Sequence, residues 1–155
     1  MRVSSALCAL ALCIAKGTAQ SLPEAISSIP ELSNLSFYVG QSQPLRDTFG
    51  LPRNVTILAP ENRAFIDLVR AVNADPTMPL PNTGGIRGFL QYHVVNGTHE
   101  AGEFNSTPKF LSTRLTNPGF TNVTSGQVVQ FIERDGDVNC ISGLNAQAQI
   151  VRPVS

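Results

Sequence analysis

The spacing of apolar residues changes from a helical period to a strand period along this chain, and this change limits its fold class more than any other feature. Apolar side chains recur at intervals of three and four residues through 22–35 and again through 61–74, as on one face of a helix. Short β-rich runs follow at 110–115, 127–133, 138–142 and 146–151. Asp135-Gly136 lies between the second and third of these runs and predicts a tight hairpin. Helices first and strands later predict an α+β domain rather than a doubly wound one.

The first half of the chain also contains one predicted strand and several predicted breaks. Residues 54–59 are β-branched and apolar, which predicts a buried strand. Pro30 divides the first helical stretch into two short helices, because proline lacks the N–H that a helix interior uses. Residues 75–85 hold three prolines and two glycines and predict a loop. After this loop, residues 86–90 predict a short helix that leads into an extended segment at 92–95.

The N-terminal residues have the three parts of a secretory signal. Arg2 gives a positive start, residues 6–15 form an apolar run without charge, and Gly17-Thr18-Ala19 has small residues where a signal peptidase reads them. A membrane-spanning helix needs roughly 20 apolar residues, about twice the length of this run. We therefore predict a signal peptide at 1–19, with cleavage before Gln20.

Asn-x-Ser/Thr sequons point to the same compartment, because asparagine is glycosylated in the lumen of the secretory pathway. The predicted acceptors are Asn34, Asn54, Asn96, Asn105 and Asn122. We expect all of them in solvent-facing loops or at strand edges, and we expect a secreted glycoprotein.

The charge balance excludes several classes of partner. Of 11 basic and 11 acidic residues, the leader takes Arg2 and Lys16, which leaves nine basic residues and a net charge of about −2. This charge gives no electrostatic footprint for nucleic acid or for an anionic membrane. No stretch after the leader is apolar enough to span a bilayer, and the last residues show no lipid-anchor signal. Residues 20–155 have the length of one domain, which we expect to be secreted and to act outside the cell or at its surface.

Few residues of the predicted mature chain suit catalysis or metal binding. Cys140 is its single cysteine and lies in a predicted strand, which favours a buried apolar role; a free thiol or an intermolecular disulfide is the alternative. His93 lies where a helix leads into a strand, a position more typical of a hydrogen-bonded core histidine than of a general base. The histidines lack the thiol or carboxylate spacing of a metal site, and no cofactor motif is present. We therefore expect no enzyme activity, no metal and no cofactor.

Two segments resemble the signatures of fasciclin domains. Residues 55–65, Val-Thr-Ile-Leu-Ala-Pro-Glu-Asn-Arg-Ala-Phe, are similar to the first signature, roughly T-[VI]-F-A-P-[TS]-[ND]-x-A-F. Residues 90–97, Leu-Gln-Tyr-His-Val-Val-Asn-Gly, resemble the second, a Tyr-His pair followed by two aliphatic residues and a turn. The two segments lie about 30 residues apart, as in the family, and the resemblance covers residues 21–151. Leu58 and Glu61 are mild departures from the pattern.

The resemblance implies a fasciclin-like fold, with N-terminal helices packed on a wedge of β-sheet, and structural roles for the signature residues. These residues are Thr56, Ile57, Ala59, Pro60, Asn62, Ala64, Phe65, Tyr92 and His93. We expect Asn62 to bond the backbone near the start of its helix, and Tyr92 and His93 to tie the helices to the sheet. The family's usual last segment, similar to N-G-V-I-H-V-I-D, is missing after residue 151. We therefore expect a C-terminally shortened domain whose 55–59 strand has an exposed edge.

The resemblance also implies a function. It points to a secreted, non-catalytic module for binding, adhesion or scaffolding, whose partner is an extracellular protein or glycan, and it implicates the region of Tyr92 and His93 in adhesion. The chain is most similar to the single fasciclin domains of filamentous fungi, some of which accompany secreted oxidases. This implies an alternative role as an accessory subunit of a secreted oxidative complex in pigment or polyketide biosynthesis. A third hypothesis is a small-molecule enzyme with His93 as its base.

Overall fold

The computed structural model describes residues 9–12, 22–41, 43, 46, 54–74, 83–121, 126–143 and 145–150. The helices are α1 (Leu22–Ser27), α2 (Ser33–Gln41), α3 (Asn62–Ala74) and α4 (Thr83–Tyr92), with short 3-10 helices at Pro30–Leu32 and Ala101–Glu103. The strands are β1 (Ala9–Leu12), β2 (Val55–Pro60), β3 (Val94–Asn96), β4 (Lys109–Ser112), β5 (Val128–Arg134), β6 (Asp137–Ile141) and β7 (Gln147–Gln149). The predicted α+β class is confirmed.

The strands form two antiparallel sheets that meet at β3. The first sheet has the order β1-β2-β3 and the second the order β4-β5-β6-β7. In the described residues one bridge joins them, in which Val95 pairs with Thr113 just beyond the end of β4. The N–H of Arg114 also donates to the carbonyl oxygen of Val94 at 2.8 Å. The sheets therefore join along one side and make the wedge that the resemblance implied.

Strand β2 contributes to two hydrophobic cores because its side chains alternate between its faces. Val55, Ile57 and Ala59 pack with the helices, and Leu58 points the other way, into the core of the second sheet. The helical core contains Ile26, Leu32, Leu35, Val39, Val55, Ile57, Ala59, Phe65, Ile86, Leu90 and Val94. The second core contains Leu58, Val95, Phe104, Val129, Phe131, Cys140, Ala148 and Ile150. All six residues of β2 are buried, so this strand anchors both layers.

The outer edge of β2 is paired in the chain that includes residues 1–19, whereas the exposed edge expected for residues 20–155 alone stays a prediction. Strand β1 runs antiparallel to it, with Ala9 opposite Pro60 and Leu12 opposite Ile57. A buried strand leaves N–H and C=O groups that need partners, and the apolar N-terminal run supplies them. Strand β1 lies inside the predicted leader, whose other residues are outside the described ranges. The signal peptide itself stays a prediction.

The local predictions hold where proline and turn chemistry decide the structure. Pro30 starts a 3-10 helix between α1 and α2, which confirms the break. The hairpin at Asp135-Gly136 is confirmed between β5 and β6, with φ of 55° and 87°, as a type I′ turn requires. The predicted loop at 75–85 is wrong at its end, because α4 already begins at Thr83. Residues 75–82 lie outside the described residues.

Candidate functional site

A largely apolar cavity of about 380 Å³ lies between α4 and the second sheet. Its walls are Leu58, Gly88, Phe89, Tyr92, His93, Leu115, Phe120, Gln127, Cys140, Ser142, Gly143, Ala146 and Ala148. The walls contain no lysine, arginine, aspartate or glutamate, so His93 is the one side chain among them that could become cationic. Pockets of this kind, with a few placed polar groups, are typical of small-molecule sites.

Helix α4 supplies one wall of the cavity because residues three and four apart share a helix face. Phe89, Tyr92 and His93 have this spacing and all line the cavity. Gly88 leaves room for Phe120, whose ring lies 3.2 Å from the place that a β-carbon on Gly88 would occupy. Phe120 is 41% exposed, so its ring stands at the solvent side of the cavity wall.

The opposite wall comes from the second sheet, where two small residues leave space. Cys140 on β6 is directly opposite Ala148 on β7, and both line the cavity. Burial raises the pKa of the Cys140 thiol to about 12, so the sulfur stays protonated and serves as a small apolar surface. This agrees with the buried apolar role expected from the sequence.

Tyr92 connects the two walls. Its hydroxyl oxygen accepts a hydrogen bond from the N–H of Gly143, in the turn between β6 and β7, at 3.4 Å. Burial raises the pKa of Tyr92, and hydrogen bonds to its oxygen oppose part of that rise. The phenol is therefore neutral, and it ties α4 to the sheet, as expected for this residue.

His93 ties the helix to the sheet, as expected, but it does so through its main chain, while its side chain bonds its own helix. The ring is only 3% exposed, and Nδ1 lies 2.8 Å from the carbonyl oxygen of Phe89. A carbonyl only accepts, so Nδ1 carries the hydrogen and Nε2 keeps a free lone pair. Within the described part of the chain, no hydrogen bond reaches Nε2. Burial lowers the pKa of His93 to about 4, so the ring is neutral at pH 7. The main chain makes the link to the sheet, since the N–H of Leu58 donates to the carbonyl of His93 at 2.8 Å.

Asn62 differs from expectation, because it bonds a segment about 30 residues earlier instead of the start of its own helix. Its Oδ1 accepts from the N–H of Asn34 at 2.9 Å, and its Nδ2 donates to the carbonyl of Pro30 at 3.0 Å. Helix α2 begins at Ser33, so the N–H of Asn34 is one of its first-turn donors that lack a partner within the helix. Asn62 therefore caps α2 from another element.

The other residues of the first signature are buried among the helices and strands. Ile57, Ala59, Pro60, Ala64 and Phe65 are all less than 5% exposed. The hydroxyl of Thr56 donates to the carbonyl of Gly97 at 2.9 Å and accepts from the N–H of His99 at 2.8 Å. Phe65 contacts Phe89 with ring centroids 5.6 Å apart, which connects this signature to the helix that lines the cavity.

The predicted glycosylation sites differ in accessibility. Asn54, Asn96 and Asn105 are exposed, near strand ends or in a loop. Asn34 is half-buried and lies in α2, so the expected loop position is wrong for this site. Its side-chain amide donates to the carbonyl oxygen of Asn62 at 3.5 Å. Asn122 lies outside the described residues.

Outside the cavity, the described residues form a charged cluster around Glu103. The carboxylate of Glu103 contacts Nδ1 of His99 at 3.1 Å and Nζ of Lys109 at 3.0 Å, on the surface. The N–H of Glu100, Lys109 and His99 lower the pKa of Glu103 to about 2, so this cluster is an ion pair that fixes a loop. No group of three potential metal ligands is present among the described residues. None of the helices described has the length and apolar content that a bilayer crossing requires.

Sequence reasoning predicted no cavity, although it singled out residues that lie on both of its walls. Tyr92, His93 and Cys140 were singled out from the sequence, whereas Phe120, Gln127 and the turn after β6 were not. These residues meet only because two sheets fold onto α4. The alternating pattern of β6 and β7 was the available signal, since it places small residues on one face.

Comparison with known proteins finds similarity over most of the chain. The family model of the fasciclin domain matches residues 30–154. The chain is 42% identical over 135 residues to a fasciclin-like arabinogalactan protein of Arthroderma benhamiae, which covers 87% of this chain and 32% of that protein. It is 35% identical over 127 residues to the fasciclin-like arabinogalactan protein elcF of Phaeosphaeria nodorum. That match covers 82% of this chain and 39% of elcF. The chain therefore spans roughly a third of the length of these relatives.

Proposed function

The chain belongs to the fasciclin family, and we propose that it is a secreted, non-catalytic module that binds an extracellular protein or glycan partner. The predicted leader and the exposed sequon asparagines Asn54, Asn96 and Asn105 support export and glycosylation. The names of the two relatives, which include the word arabinogalactan, support a glycosylated protein of the cell surface.

The observation that carries the non-catalytic role is the environment of His93. A general base needs a lone pair within reach of substrate and a pKa near the working pH. His93 is neutral with a pKa of about 4, and its Nδ1 bonds a main-chain carbonyl rather than a carboxylate. Cys140 is a protonated thiol with a pKa of about 12. A cavity with these groups suits binding better than bond cleavage.

The outer face of the second sheet supplies a surface for a protein partner. Phe110 on β4 is 65% exposed and Val128 on β5 is 38% exposed. Phe110 is opposite Gln130, so Val128 is its diagonal neighbour on the same face of the sheet. Exposed apolar side chains that lie together are more typical of contact sites than single ones.

A retention experiment tests this role. Purified glycosylated protein is incubated with the cell-wall fraction and culture-fluid proteins of its source, and bound protein is quantified after washing. We expect Phe110→Ser to reduce retention severalfold, with Phe37→Ser as the matched control, since Phe37 is 59% exposed on α2. Equal retention of both variants would remove the sheet face from the proposal, and no retention of the unchanged protein would remove the binding role.

The aromatic walls of the cavity favour a second candidate, an accessory subunit that presents an aromatic compound to a secreted oxidase. Phe89, Tyr92 and Phe120 line the cavity and would pack against such a compound. Co-purification with an oxidase from culture fluid, together with loss of coloured product on gene deletion, would support this role. Normal product together with reduced attachment to the wall would support the binding module alone.

The enzyme hypothesis has its own test at His93. A His93→Gln variant keeps a polar side chain but has no titratable ring. If that variant folds and loses a turnover that the unchanged protein shows, the non-catalytic proposal is wrong.

A further inference from the structure

The size of the cavity limits what it can hold. An engineered protein cavity of about 150 Å³ binds benzene. The cavity here has about 380 Å³, roughly two and a half times that volume. An occupant with two to three fused aromatic rings therefore fits this space.

The chemistry of the walls selects the charge and shape of the occupant. No acidic or basic residue besides neutral His93 lines the cavity, so a charged ligand would lose its hydration without a counter-ion. Three aromatic rings line the cavity, those of Phe89 and Tyr92 on α4 and that of Phe120 in the loop after β4. Aromatic walls favour a flat ligand, because stacked and edge-to-face ring contacts add to the burial of apolar area.

One polar group in the walls has an unused hydrogen-bonding position. His93 is 3% exposed, lines the cavity and holds its Nδ1 hydrogen on Phe89, which leaves Nε2 as an acceptor without a partner among the described residues. The hydroxyl oxygen of Tyr92 already accepts from Gly143. No buried side-chain nitrogen or oxygen atom in the described residues lacks a partner, so Nε2 is accessible to solvent, and a ligand hydroxyl that donates to it replaces a hydrogen bond to water.

We propose that this cavity binds an uncharged aromatic molecule of two to three fused rings whose hydroxyl donates a hydrogen bond to Nε2 of His93. This ligand class deepens the proposed binding function and rests on it. The apolar, aromatic walls require the ligand to be flat and uncharged, and Nε2 of His93 determines where its hydroxyl lies.

Three related naphthalenes test the proposal on the full chain at pH 7. The probe is 2-naphthol, whose fluorescence can be measured without tryptophan emission from the protein, because the chain has no tryptophan. The methyl ether 2-methoxynaphthalene lacks the donor, and we expect it to bind on the order of fivefold more weakly. The anion 2-naphthalenesulfonate carries a charge, and we expect it to bind at least tenfold more weakly. Equal affinity for all three would overturn the proposal.

Two matched variants place the probe in the cavity. Ala146 is an exposed residue on its rim, and a phenylalanine there would fill the entrance. Gln149 is exposed on β7, next to Ala148 but on the opposite face of the strand. We expect Ala146→Phe to weaken 2-naphthol binding at least tenfold and Gln149→Phe to leave it unchanged. Unchanged binding to a folded Ala146→Phe protein would overturn the proposal.

A third variant removes a wall instead of blocking the entrance. Phe120→Ala deletes a ring that is 41% exposed, so folding should survive the change. We expect a severalfold loss of 2-naphthol affinity, and no loss would contradict the aromatic wall. Retention on the cell wall without 2-naphthol binding would contradict this inference and leave the proposed function unaffected. Binding of 2-naphthol without retention on the cell wall would contradict the proposed function and leave the ligand class supported.

Discussion

At the residue scale, the fold opposes protonation of His93. Burial holds the pKa of His93 at about 4, against about 6.5 for a histidine in water, so between these limits the unfolded chain binds a proton that the folded chain does not. Stability therefore falls as pH falls from about 6.5 to 4, by on the order of 3 kcal/mol in total. Urea unfolding followed by circular dichroism at several pH values in this window should show the slope.

The control for this prediction is the other histidine. His93→Gln should flatten the slope between pH 6.5 and 4, whereas His99→Gln, which keeps His93, should retain it. Glu103 has a pKa lowered to about 2, so the stability it contributes is lost only below about pH 4.5 and overlaps the His93 window only at its acid end. A slope that is the same with and without His93 contradicts the assignment.

Asn62 carries a second prediction at this scale, because it joins two helices through bonds that the sequence alone did not reveal. Asn62→Ala removes the acceptor for Asn34 and the donor to Pro30, so we expect a loss of about 2 kcal/mol of unfolding free energy. Asn62→Asp keeps the acceptor and should lose less. Arg63→Ala is the matched control, since Arg63 is 76% exposed on the same helix and should change stability by less than about 0.5 kcal/mol. Equal losses for Asn62→Ala and Arg63→Ala would show that the cap contributes nothing.

At the scale of elements, substitutions at two glycines distinguish the cost of backbone strain from the cost of a steric clash. Gly126 leads into β5 with φ of +93°, and Gly136 lies in the β5–β6 hairpin with φ of +87°. An added β-carbon on Gly126 would collide with the carbonyl oxygen of Thr113, whereas one on Gly136 meets nothing within 4 Å. We expect Gly136→Ala to cost about 1 kcal/mol and Gly126→Ala at least about twice as much, measured by urea unfolding. Equal losses would mean that the chain near Gly126 relaxes away from β4.

The same elements show how far the sequence alone could predict the structure. Periodicity and turn chemistry are local, so they indicated β2, α3 and the Asp135-Gly136 hairpin close to their observed positions. The partner of Asn62 and the packing of α4 on the second sheet depend on which surfaces meet, and a local pattern does not determine that. The Tyr-His pair was predicted as a structural tie, yet only the structure shows that His93 turns its Nδ1 to Phe89. Function depends on such tertiary contacts, so the sequence indicated the family before it indicated a site.

At the scale of the whole molecule, β2 holds the helical core and the sheet core together, and β1 completes its outer edge. The N–H of Leu58 points to β3, where it donates to His93. Because N–H groups alternate along a strand, those of Ile57 and Ala59 point to β1. Removal of residues 1–19 as a leader would take β1 away and leave these two groups open to solvent or to another strand.

Amide hydrogen exchange tests this consequence with an internal control. In a chain that begins at Gln20, we expect the amides of Ile57 and Ala59 to exchange at least tenfold faster than in the chain with residues 1–19, because they have lost their partners. The amide of Leu58 should stay protected in both chains, since its bond to His93 remains. If all three amides lose protection together, β2 needs β1 to stay folded, and the mature domain requires another strand at this edge. If none does, a different segment or a second copy of the chain already covers the edge, and the protein's mass in solution distinguishes these two cases.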